Sequence, residues 1–236
     1  MSPGVPAIGA WQEATVLEVR PDTDRVKTFR LALADPTPRM AGQYFLVRLT
    51  APDGYRAQRS YSVATPPTDD RVIELTVERL DDGEVSTFLH DAVVAGDTLE
   101  VRGPIGGWFV WPGTTPALLI GGGSGVVPLM SMLRLARGTQ GSLARLVVSV
   151  RSPQDLIYAA EMVGSDVTVI YTRSAPAGAT RPVGRLAVDD LESLLDDDAT
   201  VYVCGSTRFA QAIGATLVGA GVAAERIRVE HFGPTG

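Results

Sequence analysis

From Ala14 to Arg102 the chain alternates between apolar and polar positions in short runs. Phe29, Leu31 and Leu33 are separated by Arg30 and Ala32, and Ile73, Leu75 and Val77 by Glu74 and Thr76. A period of two marks strands with one buried face. The pattern predicts further strands at Ala14–Val19, Tyr44–Leu49, Ser60–Ala64 and Thr98–Arg102, and a short helix over Ser86–Val93. Turn formers such as Asp35-Pro36, Asp53-Gly54, Pro66-Pro67 and Gly103-Pro104 separate most of them. Six short strands and one helix suggest an antiparallel β-barrel. Beyond Trp111-Pro112-Gly113 the rhythm changes. Apolar runs at Ala117–Ile120, Leu146–Val150, Val167–Tyr171, Val201–Cys204 and Ile227–Val229 alternate with helical stretches at Val126–Arg137, Gln154–Met162, Val188–Leu195 and Phe209–Gly219. Strand–helix alternation implies an α/β domain with a doubly wound parallel sheet. The expected division is a barrel over residues 1–113 and an α/β domain over residues 114–236.

Composition narrows the chemistry. The chain has 236 residues, 45% of them hydrophobic and 20% charged, as expected of a globular protein. A single cysteine, Cys204, and two histidines, His90 and His231, leave too few ligands for a disulfide framework, a four-thiolate cluster or a multi-His metal centre. No metal is expected. The start of the chain lacks a basic region followed by an apolar run, and no apolar stretch reaches the roughly 18 residues that cross a membrane. A cytoplasmic protein without membrane association is therefore expected. The net charge of −6 argues against nucleic-acid binding. Positive charge is concentrated between Arg20 and Arg59, where eight basic residues face four acids. Lys27 is the only lysine, so an anion site must be built from arginines, backbone N–H groups and helix ends.

Leu118-Leu119-Ile120 runs into Gly121-Gly122-Gly123-Ser124-Gly125, and Val126-Val127-Pro128 opens a helix. A strand, a glycine turn and a helix N-terminus together suit a pyrophosphate, although a tight turn without a ligand reads the same way. The second strand of this half ends in Arg151-Ser152 and the third in Thr172-Arg173. An arginine at such a strand end suits a 2′-phosphate, so NADPH is favoured over NADH; ordinary exposed arginines are the alternative. A nucleotide-triphosphate loop is excluded because its lysine is missing, and a hydrolase elbow fails because Val126 stands where a glycine is needed. In the first half, Arg59-Ser60-Tyr61-Ser62 lies on a strand, with Arg59 and Tyr61 on one face and Ser60 and Ser62 on the other. The arginine suits a phosphate and the tyrosine a flat ring, but a plain strand explains this tetrad equally well. In Asp82-Gly83-Glu84-Val85-Ser86-Thr87, Ser86 is placed to cap the helix that follows, a second phosphate-binding start.

In their order along the chain, Arg59-Ser60-Tyr61-Ser62, Gly83-Glu84-Val85-Ser86, Gly103-Pro104-Ile105-Gly106-Gly107, Gly121–Pro128, Val203-Cys204-Gly205 and Glu230-His231-Phe232-Gly233 resemble the ferredoxin–NADP reductase family of flavoproteins. The tail after Phe232 and the single cysteine resemble the bacterial stand-alone type, without a fused Fe–S domain. The resemblance implies an FAD-binding β-barrel domain followed by an NAD(P)-binding α/β domain. It implies that Arg59 pairs with the FAD pyrophosphate, Tyr61 packs along the flavin and Ser62 bonds near its reactive nitrogen. Thr76-Val77-Glu78 and the turn Gly83-Glu84-Val85-Ser86-Thr87 would hold the rest of FAD. Gly123-Ser124-Gly125 would receive the NAD(P)H pyrophosphate, with Thr172-Arg173 at the 2′-phosphate. Cys204-Gly205, Glu230 and Phe232 would shape the nicotinamide site.

The implied activity is hydride transfer from NADPH, or NADH, to FAD, with electrons passed to a separate carrier: a ferredoxin, a flavodoxin or an oxygenase component. The positive Arg20–Arg59 segment, with Arg25, Lys27 and Arg30 foremost, is the expected docking face for an acidic carrier. Two other readings compete. One is a free-standing NAD(P)H reductase of flavins or quinones. The other is a non-catalytic nucleotide-binding regulatory subunit.

Overall fold

The structure is a computed structural model that describes residues 9–139 and 143–232. The start of the chain and the Gly233–Gly236 tail, on which two of the sequence readings fall, lie outside the described residues. The chain divides between Trp111 and Pro112 into two compact units. Among the described residues, no helix is long and apolar enough to cross a membrane.

The first unit holds six antiparallel strands: β1 (Gln12–Thr23), β2 (Val26–Leu33), β3 (Tyr44–Thr50), β4 (Arg56–Ser62), β5 (Val72–Glu78) and β6 (Thr98–Ile105). Their order is β4-β3-β6-β1-β2-β5. An antiparallel bridge from Val63 to Leu75 joins the two ends of that order and closes the barrel. The alternation that predicted the strands also sets their facing. Phe29, Leu31 and Leu33 of β2 and Ile73, Leu75 and Val77 of β5 enter one buried core, while Arg30 and Glu74 stand opposite each other outside it. Helix α1 (Glu84–Asp91) inserts Val85 and Leu89 into the same core. That burial, at about 1.5–3 kcal/mol for each large apolar side chain, is what holds so short a helix.

The second unit is a parallel sheet of β7 (Ala117–Gly122), β8 (Ala144–Val150), β9 (Val167–Tyr171), β10 (Thr200–Ser206) and β11 (Ile227–Phe232), in the order β11-β10-β7-β8-β9. Helix α2 (Val126–Gly138) packs on β7, β8 and β10, and α3 (Thr207–Gly219) on β10 and β11. Ala210, Ile213 and Leu217 form a stripe on α3 that shares a core with Leu118 and Ile120. Helix α2 is buried nearly all round, and its Pro128 falls in the first turn, where no backbone hydrogen bond is lost.

Two expected helices are absent. Over Gln154–Met162 there are only short 3₁₀ turns at Pro153–Asp155 and Ala159–Glu161. Leu156, Ile157 and Tyr158 are buried in succession, which no one-sided helix allows, and Tyr158 takes a left-handed backbone (φ 55°) that breaks any right-handed run. Over Val188–Leu195 the chain again makes two 3₁₀ turns. There Asp190 accepts from the Ala187 N–H and from the Arg181 guanidinium, and so anchors a loop instead of extending a helix.

Gly103 in β6 lies under the ring of Phe45, which is fully buried, and a Cβ there would stand 2.5 Å from that ring. Gly103→Ala is expected to cost about 1–3 kcal/mol of stability by overpacking the barrel, read as a lower urea midpoint with an unchanged slope.

Candidate active site

In the barrel unit, pairing with β3 fixes the tetrad on β4: Arg59 lies opposite Val47, Ser60 opposite Leu46, Tyr61 opposite Phe45 and Ser62 opposite Tyr44. Ala57 and Val63 belong to the barrel core and Tyr61 packs against it, whereas Arg59 of the same strand does not enter it. Burial raises the Tyr61 hydroxyl pKa. Ser62 faces the other way, yet it is only 3% exposed, and its Oγ has no hydrogen-bond partner. A buried hydroxyl without a partner costs about 1–3 kcal/mol unless something else supplies one. Ser60 and Arg59 are exposed. Arg59 donates only to the neighbouring Gln58 carbonyl, at 2.7 Å, and forms no ion pair among the described residues.

The start of α1 comes to the same region, because the Tyr55 hydroxyl donates to Glu84 at 3.1 Å. Gly83 precedes the helix without a side-chain cap, and a Cβ there would meet Ser86 Oγ at 2.3 Å. Ser86 does not cap the helix, contrary to expectation. Its buried hydroxyl donates to the Gly83 carbonyl and accepts from the Leu80 N–H, while Thr87 Oγ1 donates to the Leu80 carbonyl. These bonds brace the turn and leave the N–H groups of Glu84, Val85 and Ser86 for an anion. Thr76, Val77 and Glu78 end β5 beside its bridge at Leu75; the Thr76 hydroxyl is hydrogen-bonded to that of Thr28, and the Val77 carbonyl to His90 Nε2. A buried hydroxyl without a partner, an uncommitted guanidinium and an uncapped helix start fit a flavin nucleotide.

In the parallel-sheet unit, chain order reverses between β7 and β10, and ligands of such sheets bind at the carboxyl ends of the strands flanking that point. Here β7 ends in Gly121-Gly122, and β10 has Gly205 as its penultimate residue. A Cβ on Gly125 would lie 2.3 Å from the Cys204 carbonyl oxygen and 2.5 Å from Gly205 Cα. A Cβ on Gly122 or Gly205 would strike the ring of Phe209, at 2.7 and 2.6 Å. Gly123 takes a left-handed backbone (φ 55°), and Ser124 follows it into α2 with open space beside the turn. The turn is thus pressed onto β10 and still offers a helix start without side-chain cover. Ser206 caps α3 by accepting from the Phe209 N–H.

Cys204 lies between Gly121 of β7 and Glu230 of β11, Gly205 opposite His231, and Ser206 opposite Phe232. Burial, and then the nearby Glu230 carboxylate, push the Cys204 thiol well above its ordinary range, so it is a thiol at neutral pH. Burial pushes Glu230 up to about 7. Arg151 is exposed but ion-paired. It donates to Asp155 at 2.6 Å, an acid four residues on that the sequence reading did not weigh. Thr172 and Arg173 hydrogen-bond through their backbones to the end of β8, and Arg173 is exposed. Phe209, which backs two of the glycines, was also missed, because nothing local to it signals that contact.

The positive segment is largely consumed within the fold. Arg25 pairs with Asp81, Lys27 donates to the His90 carbonyl, Arg39 is buried against loop carbonyls, and Arg48 pairs with Glu100. Of the three foremost docking residues, only Arg30 is left outside such a contact among the described residues.

Two family models match: an oxidoreductase FAD-binding domain over residues 14–110 and an oxidoreductase NAD-binding domain over residues 119–214. The chain belongs to the ferredoxin-reductase-like family of FAD- and NAD-binding oxidoreductases. Among curated relatives of this family, a flavohemoprotein of Rhizobium meliloti is 32% identical across 95% of this chain and 61% of its own length. A glycine betaine monooxygenase reductase subunit of Chromohalobacter salexigens is 31% identical across 82% and 56%. The chain therefore spans about 60% of the relatives it matches. Among solved structures, the flavohem-like FAD/NAD-binding domain of a Vibrio cholerae nitric oxide dioxygenase superposes with a TM-score of 0.82 at 26% identity, covering 94% of this chain and 99% of that one. A cytochrome P450 reductase of Amycolatopsis gives 0.81 at 27% identity, covering 97% and 71%.

A carboxyl whose folded value is raised from 4.5 to about 7 favours the folded state below 4.5, and that contribution is lost as pH rises through 7. Glu230→Gln is expected to flatten this fall. Urea unfolding at pH 5 and pH 8 measures it, and an unchanged difference between the two pH values would contradict the buried carboxyl.

Proposed function

We propose that this chain is the reductase part of an electron-transfer system. In this reading it binds FAD on the barrel unit and NAD(P)H on the parallel-sheet unit, and it passes electrons to a separate protein acceptor such as a ferredoxin, a flavodoxin or an oxygenase component. FAD, when bound, supplies the conversion of electron pairs from NAD(P)H into single electrons. The observation that carries the reading is the buried Ser62 hydroxyl without a partner, on the strand that also bears Arg59 and Tyr61. A ring nitrogen of a bound flavin would complete that hydrogen bond.

The remaining residues take roles their surroundings suit. Arg59 and the N–H groups at Glu84–Ser86 hold the FAD phosphates, Tyr61 lines the flavin, and the edge at Thr76–Glu78 supplies backbone partners. Gly123-Ser124-Gly125 receives the NAD(P)H pyrophosphate at the start of α2. Cys204, uncharged and buried beside Gly205, gives the nicotinamide a neutral wall. Glu230, half-protonated near neutral pH, can hold or release a proton at its carboxyl oxygen, and Phe232 adds apolar cover. A protein acceptor is supported by relatives that are themselves reductase subunits, of a glycine betaine monooxygenase and of an aromatic O-demethylase. We place this activity in the cytoplasm, where reduced nicotinamide is kept.

The purified chain is expected to carry FAD. Ser62→Ala should slow anaerobic bleaching of the flavin by NAD(P)H about tenfold, the worth of one buried hydrogen bond, with little change in coenzyme KM. A variant that bleaches at the parent rate would remove Ser62 from this role.

A further inference from the structure

The start of α1 carries an acid at the place proposed for an anion. Glu84 is the first residue of the helix, next to the N–H groups of Val85 and Ser86. A carboxylate at that position is drawn to the helix start and its unpaired N–H groups. Arg59 forms no ion pair among the described residues, so its guanidinium is a second partner open to an acid. Either contact would put a side chain of the protein itself where a phosphate should bind.

Glu84 makes neither contact. Among the described residues its side chain has one hydrogen bond, from the Tyr55 hydroxyl to Oε2 at 3.1 Å. The turn between β3 and β4 sets the backbone that carries this hydroxyl. The Ala51 N–H donates to the Tyr55 carbonyl at 2.9 Å, Gly54 takes a positive φ of 89°, and the Tyr55 N–H donates to Asp53 Oδ1 at 3.0 Å. Strand β4 begins at the next residue, and Arg59 follows four positions after Tyr55. Both charges act on the hydroxyl. Glu84 raises its pKa, through the hydrogen bond first and then through its charge, and the Arg59 guanidinium opposes that shift. The Tyr55 ring is 57% exposed and stays out of the barrel core, so the fold does not need its hydroxyl.

We propose that Tyr55 is a positioning residue for cofactor loading: its hydroxyl holds the Glu84 carboxylate away from Arg59 and from the start of α1, and so keeps that anion site open to the FAD pyrophosphate. The inference rests on the flavin reading of the barrel unit. It accounts for an arginine left uncommitted although an acid shares its surroundings.

Release of FAD from the loaded protein, followed as flavin fluorescence on dilution, tests this without turnover. Tyr55→Phe should weaken FAD binding about fivefold at low salt, because the freed carboxylate competes with the pyrophosphate for Arg59 and the helix start. The loss should shrink as ionic strength rises. Glu84→Gln should hold FAD at least as tightly as the parent, and adding Tyr55→Phe to it should change the affinity by less than about twofold. Three results each overturn the proposal alone: FAD binding by Tyr55→Phe at the parent affinity, a loss that Glu84→Gln does not relieve, and a loss indifferent to salt. The second would mean that the hydroxyl bonds FAD directly. A parent protein that binds no FAD overturns the flavin reading, and this proposal with it.

Discussion

The second unit depends on a single close approach, the glycine turn against the end of β10. Gly125 lies so near the Cys204–Gly205 backbone that even a methyl group would overlap it. That absence of side chain lets α2 begin immediately beside two strand ends, and it puts the helix's unpaired N–H groups at the point where chain order reverses. The cost is a sheet end without side chains of its own, and the Phe209 ring covers the rear of it. The open helix start and the packing of α2 are thus consequences of the same contact.

The barrel unit solves a related problem differently. Its core is filled by alternate strand residues and by α1. What is left for binding is the outer surface around β4 and the start of α1. There the Ser62 hydroxyl has no partner and Arg59 donates only to a neighbouring carbonyl. Arg39, by contrast, donates to three carbonyls and a hydroxyl to fix the loop between β4 and β5. Arg59 and the Ser62 hydroxyl have no such set of partners, and that difference is what the proposed flavin site rests on.

Most of this was legible in the sequence where period and chemistry agree. The alternation of Phe29, Leu31 and Leu33 needs one buried face and nothing else, and Gly121–Gly125 between an apolar run and a helical one marks the tight strand-to-helix turn that the structure shows. The reading failed where a side chain's partner is distant or its backbone unusual. The stretch around Leu156–Tyr158 has helical composition, but the left-handed Tyr158 and its buried neighbours belong to a loop pinned by contacts such as the Arg134–Glu161 pair. Ser86 looked like a cap because of its place after Gly83, yet its hydroxyl serves the turn behind it. Asp155 was in plain view four residues beyond Arg151, but only the turn at Pro153 makes that spacing a contact.

Charge shows the same limit most sharply. Eight basic residues within forty positions suggest a positive face. In the folded chain Arg25 and Arg48 are paired with Asp81 and Glu100, while Lys27 and Arg39 keep their charge but are held on backbone carbonyls, so Arg30, Arg56 and Arg59 are the cations most open to a passing protein. Ion pairs at the surface contribute little to stability, but they cancel the monopoles that steer association. A carrier-docking surface on this unit must therefore be sought by subtracting every satisfied charge first, and the count along the chain is the wrong measure of it.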